Sequence, residues 1–151
     1  MRGSVTVQMA ASPDVVWDLV SDVTRIGEFS PETFEAVWLG DATGPVAGAR
    51  FKGHVKRNGV GPIYWTVCEV LDAKPLERFE FAVVIKDEKV NTWCYELVAK
   101  DGGTAVTESY SLQPNPITRA YWALLGRRRG KTNERGMRQT LERIKAIAEA
   151  A

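Results

Sequence analysis

Histidine is almost missing from this sequence. His54 is the only one, so any Ser-His or Cys-His catalytic pair would have to use it. It lies in "FKGHVKRNG", in the same alternation as Lys52 and Lys56 and with no serine or cysteine tied to it by pattern, which reads as a surface position. One histidine and no cluster of carboxylates at ligand spacing leave a catalytic zinc without a ligand set, and no cofactor is expected. Cysteine is scarce too. Cys68 and Cys94 sit inside separate strand-like runs without metal-ligand spacing and read as buried thiols rather than a disulfide, which fits a reducing, cytoplasmic setting. An excess of one charge is also lacking: 20 Lys and Arg face 19 Asp and Glu, a net charge of +1, so nothing global draws the chain to nucleic acid. No apolar run approaches a membrane span, and the first residues lack the charged-then-apolar layout of a secretory signal. "RNGVG" and "KDGG" contain glycine without the spacing or strand-to-helix setting of a phosphate-binding loop. There is no internal repeat and no low-complexity stretch, so residues 1–151 are expected to form one domain.

What is present is ordinary globular material, 44% hydrophobic and 26% charged, in a chain long enough to bury a core. Val5, Val7, Met9 and Ala11 recur with a period of two, which predicts a first strand. "SPDVVWDLVSD" follows with helix-start chemistry: Ser12 placed to cap, Pro13 in the first turn, Asp14 at the positive end, and an apolar stripe of Val16, Leu19 and Val20. From Thr33 to Leu112 the turn signals "GDATGPVAG", "RNGVGP", "DAKP", "KDEK" and "KDGG" separate runs rich in Val, Phe, Tyr, Trp and Thr. They predict six strands at about 33–40, 48–57, 63–72, 77–86, 90–99 and 104–112, mostly an antiparallel meander. After "PNP" the composition turns helical over 116–149. Met137, Leu141, Ile144 and Ala148 share a face, but upstream that face meets Gly130 and Gly126 instead of Tyr121 and Leu124. The slip across "GRRRGK" predicts a break or kink between a short helix and a long one.

Between the first helix and the second strand lies "DVTRIGEFSPETF", residues 22–34. Asp22 suits a cap, Pro31 stops a helix and pushes Ser30 toward extended backbone, and Ile26 and Phe29 are spaced to meet on one face. The stretch reads as a joint. Glu32 within it is either a solvated charge or a functional carboxylate.

Strand parity supplies the candidate site. If Gly102-Gly103 forms a two-residue turn, Leu97 lies opposite Glu108, Tyr95 opposite Tyr110 and Trp93 opposite Leu112. Opposite residues share a face, so Glu108 is placed on the apolar side with Trp93, Tyr95, Leu97, Val106 and Tyr110. An odd loop at 86–90 brings Phe79, Phe81 and Val83 to that same side. In the third strand Phe51, Gly53 and Val55 point inward, against the basic set Arg50, Lys52, His54 and Lys56. The next strand is open to two readings: Tyr64, Thr66, Cys68 and Val70 on one face, Trp65, Val67 and Leu71 with Glu69 on the other.

"VWDLVSDVTRIGEFSPE", "GARFKG", the tryptophan of the following strand and "GGTAVTES" together resemble the START-like SRPBCC superfamily. Within it the chain is most similar to the bacterial polyketide cyclase/dehydrase and lipid-transport branch, over essentially its whole length. The resemblance implies an α+β helix-grip fold: a curved seven-stranded antiparallel sheet wrapped around a long C-terminal helix, two short helices after strand 1, and a cavity between sheet and helix. It also favours an inward Trp65, with a bulge then needed to bring Val70 inward as well. These motifs are specific for the scaffold and not for the ligand.

The expected function is binding or transport of a hydrophobic or amphipathic small molecule, lipid or polyketide-like. Phe51, Trp65, Phe81, Trp93 and Tyr95 would form the walls, and Glu108 and Tyr110 the polar fixing points. The alternative is a polyketide cyclase or dehydratase with Glu108 as base and Tyr110 or Tyr95 polarising a carbonyl. Glu108 and the tyrosines equally suit structural hydrogen bonds or plain core packing. A third class is a closed scaffold acting through its surface. Arg127, Arg128, Arg129 and Lys131 are either a solvated helix face or a weak contact for an anionic membrane.

Overall fold

The computed structural model describes residues 2–56, 62–112 and 116–151, with the backbone alone at 116–119 and 121–129. Seven strands appear, β1 (Arg2–Met9), β2 (Thr33–Trp38), β3 (Arg50–Lys56), β4 (Ile63–Lys74), β5 (Arg78–Ile85), β6 (Glu88–Lys100) and β7 (Gly103–Leu112). They form one antiparallel sheet in the order β1-β7-β6-β5-β4-β3-β2. Helix α1 (Pro13–Val20) and a 3-10 helix (Val23–Glu28) lead from β1 to the opposite edge, and α2 (Pro116–Ala150) ends the chain.

Each local feature follows from the residues named above, with some changes of detail. Ser12 takes the cap position of α1 with extended backbone, but its side chain makes no capping bond. Asp22 caps the 3-10 helix, accepting from the Thr24 amide at 3.0 Å and its hydroxyl at 2.6 Å. The Ser30 hydroxyl then accepts from the Thr33 amide at 3.0 Å, turning the chain into β2. Phe29 is buried and Ile26 packs beside it, so the joint closes one end of the sheet.

The break expected across "GRRRGK" does not occur: α2 runs unbroken from Pro116 to Ala150. Glycine inside a helix costs only about 1 kcal/mol relative to alanine, against about 3 for proline, so Gly126 and Gly130 weaken the helix without ending it. Its buried stripe, Met137, Leu141, Ile144 and Ala148, is the one read from the spacing. The helix packs chiefly on β1, with smaller contacts to α1 and β7. It therefore covers one side of the concave sheet and stands off from β3 to β6, and that offset positions the site.

Candidate ligand cavity between sheet and helix

The space under α2 is a cavity of about 470 Å³. Its walls are the inward residues of β3 to β7, its lid is the Thr132–Thr140 part of α2, and Ile26 to Thr33 of the joint close one side.

The sheet brings the inward side chains into rows. Phe79, Tyr95, Glu108 and Val5 lie side by side across β5, β6, β7 and β1. Phe81, Trp93 and Tyr110 form the next row, and Val83, Asn91 and Leu112 the one after. Rings meet within the walls: Phe51 and Phe81 at 5.3 Å between centroids, Trp93 and Tyr110 at 5.6 Å. Phe51, Phe81, Trp93, Tyr95, Glu108 and Tyr110 thus share one cavity.

The partners themselves are each one step away from those expected. Tyr95 lies opposite Glu108, not Tyr110, and Trp93 opposite Tyr110, not Leu112. The reason is the turn, which is Asp101-Gly102, both with positive φ (52° and 76°), and not Gly102-Gly103. Gly103 is already in β7, where a Cβ would sit 2.0 Å from the Met9 carbonyl oxygen. It is glycine for close approach, not for turning. In the neighbouring hairpin Lys86 and Asp87 form a two-residue turn in place of the five-residue loop, and a bulge between Val83 and Val84 supplies the odd residue. Both shifts move pairs by two in sequence, so every side chain keeps its face.

Trp65 does not face the cavity. It is 44% exposed on the convex side, where its ring stacks on His54 at 4.1 Å and 11°, with the Lys52 amine 4.5 Å from the ring centre. Register explains this: Phe51, Gly53 and Val55 of β3 oppose Cys68, Thr66 and Tyr64, which line the cavity. The bulge in β4 falls later, between Val70 and Asp72, so Val70 is inward by simple alternation. His54, opposite Trp65, is half-buried and bonded through Nδ1 to Glu35 Oε1 at 2.8 Å, on the face away from the cavity.

Sequence reading also missed the lining from the joint and the helix, such as Ser30 and Thr33 where the joint enters β2, and Asn133 and Gly136 of α2. The 136/137 position could have been found, since Met137 was already assigned to the buried stripe. The joint residues carried no apolar period that would have marked them.

Glu108 dominates the electrostatics. It is 5% exposed, and burial pushes its carboxyl up to about 8, partly offset by hydrogen bonding from Tyr95. Its Oε2 is buried with no hydrogen-bond partner among the described residues. Burial, and then the neighbouring Glu108, hold the Tyr95 hydroxyl well above its ordinary range. Cys68, in the cavity wall, is raised to about 12 by burial and Cys94 to about 11, burial again leading; the two thiols are free. They lie on opposite faces of the sheet and are poor nucleophiles at neutral pH. The side chains of Arg127, Arg128 and Arg129 lie outside the described residues, whereas Lys131 is exposed. Among the described residues no helix is long and apolar enough to cross a membrane.

An antiparallel sheet gripping a long terminal helix over a lined cavity defines a START-like protein, the class to which this fold belongs. The sequence profile of the family described as polyketide cyclase / dehydrase and lipid transport matches residues 2–149, and the chain belongs to that family. Among solved structures it is similar to MLL2253 from Mesorhizobium loti, at TM-score 0.71 and 17% identity, covering 100% of this chain and 98% of that one. It is likewise similar to the Polyketide_cyc-like protein Cgl2372 from Corynebacterium glutamicum, at 0.67 and 29%, covering 98% and 91%. The di-domain ARO/CYC StfQ of the steffimycin biosynthetic pathway matches at 0.73 and 13%, covering 99% of this chain and 50% of StfQ. No curated protein matches the chain.

Proposed function

We propose that this protein binds or carries a hydrophobic or amphipathic small molecule in the cavity beneath α2. Phe51, Phe81, Trp93 and Tyr95 provide apolar contact, and Glu108 and Tyr110 fix the polar end. The observation that carries this reading is a cavity of about 470 Å³, within the range of small-molecule sites, whose wall holds a buried carboxyl oxygen without a hydrogen-bond partner among the described residues. Family membership supports it in general terms. Two free, buried cysteines fit a reducing cytoplasm, and the basic run 127–131 fits weak contact with an anionic membrane that added salt would loosen. Native mass spectrometry of protein purified from its own cells, followed by solvent extraction, tests the proposal. A single bound lipid, pigment or polyketide is expected; protein found only at its bare mass, with cell extracts unable to load it, would sink the carrier reading.

One observation favours the enzymatic alternative. A carboxyl held near 8 beside a tyrosine hydroxyl exchanges protons readily at neutral pH, as a cyclase or dehydratase needs. With neither thiol activated, the chemistry would be proton transfer on a poly-β-ketone, with Glu108 taking a proton from carbon and Tyr95 or Tyr110 donating to a carbonyl. Turnover of a synthetic poly-β-ketone thioester that disappears in Glu108→Gln while binding persists would establish it. Equal turnover in both proteins would dismiss it.

A further inference from the structure

The ionisable side chains lining the cavity are Glu32, Tyr64, Cys68, Tyr95, Glu108 and Tyr110. No lysine, arginine or histidine is among the described lining residues, although lysine and arginine together number 20 in the chain. The basic residues of β3 project to the other face: His54 and Lys52 are engaged with Trp65 outside. The polar chemistry of the described interior is therefore carboxyl, hydroxyl and the neutral amides of Asn91 and Asn133, with Glu108 deep and Glu32 half-buried in the joint. Around these groups stand the rings of Phe51, Phe81, Trp93, Tyr95 and Tyr110.

Such an interior treats the ends of amphipathic molecules very differently. A carboxylate or phosphate end would lose its hydration, find no cation to pair with among the described lining residues, and hold Glu108 in its neutral form. An ammonium end would meet a carboxylate and the negative faces of aromatic rings. We infer that the cavity selects apolar ligands carrying an amine, held as ammonium against Glu108 and the aromatic walls, and rejects fatty-acid-like anions. This inference rests on the binding reading above and narrows its ligand class.

A proton balance comes with it. Glu108, titrating at about 8 in the empty cavity, is mostly protonated at pH 7. When the ammonium arrives, the carboxyl ionises and passes its proton to the buffer, while the amine keeps its own. Binding of an amine at pH 7 should thus release about one proton per site, and binding of a neutral alcohol none.

Decylamine, decanol and sodium decanoate present one apolar body with three ends. Isothermal titration calorimetry below their micelle concentrations, at pH 7 in two buffers of different ionisation enthalpy, reads affinity and proton release together. Decylamine is expected to bind at least about tenfold more tightly than decanoate. In Glu108→Gln that preference should shrink to within about threefold and proton release should vanish. Decanoate binding as well as or better than decylamine would overturn the amine inference and leave the binding reading intact. A preference undiminished in Glu108→Gln would overturn Glu108 as its source. Failure of all three to bind would remove the binding reading, and this inference with it.

Discussion

Glu108 links folding to pH in a direction opposite to most carboxylates. Its value is about 4.5 in an unfolded chain and about 8 in the fold, because burial disfavours the charged form. The folded state therefore holds a proton that the unfolded chain gives up. The associated stability is complete below about pH 4.5, declines as pH rises, and is gone above about 8. Across that window the loss is on the order of 4 kcal/mol. Urea unfolding at pH 5 and pH 8.5 should show this decline in the wild type and a much flatter response in Glu108→Gln. Parallel profiles would mean that Glu108 is solvated and not buried as described. Placing this residue from sequence was a matter of parity alone: alternation in β7 put it among Val106 and Tyr110, whatever its charge suggested. Trp65 misled for the complementary reason. Its inward placement comes from the family resemblance where parity leaves both faces open, yet its cross-strand partner is His54 of the basic face, and that register decides the side.

At the scale of elements, α2 is the least obvious from sequence and the most consequential. Its apolar stripe was readable from spacing, and that stripe covers β1, whereas its upstream part roofs the cavity. The stripe's passage through Gly126 and Gly130 predicts a break, but glycine is tolerated in a helix at modest cost, and the part of α2 over the cavity needs no apolar side chain at every turn. Gly136 shows the point most clearly: it lines the cavity, and a Cβ built on it meets nothing within 4 Å. Gly136→Ala should stabilise the protein by about 1 kcal/mol through helix propensity, measured by urea unfolding. Gly136→Phe should leave stability near the wild-type value while lowering ligand affinity at least about tenfold, since the ring would occupy the ligand's space. Unchanged affinity in that variant would place the ligand elsewhere. Asp101-Gly102 illustrates a different limit. Two adjacent glycines cannot be told apart by composition, and only the approach of Met9 assigns Gly102 to the turn and Gly103 to the strand.

Over the whole molecule, the order of elements and the sheet's inward set were legible because both rest on short-range patterns: turn residues, alternation and one helical stripe. What connects distant parts was not. The joint's contribution through Ser30 and Thr33, and the offset of α2 toward β1, depend on contacts that leave no periodic trace. The alternation that did survive has a bearing on how such proteins change over generations. A single residue gained inside a strand turns everything beyond it inside out, exchanging ligand wall for outer surface, unless a bulge takes up the extra unit as the ones after Val83 and Val70 do. A gain of two leaves the wall's membership untouched. Lineages with this architecture are thus free to lengthen or shorten their strands in pairs without exchanging the side chains that line the cavity, and they pass through a bulge whenever the count is odd.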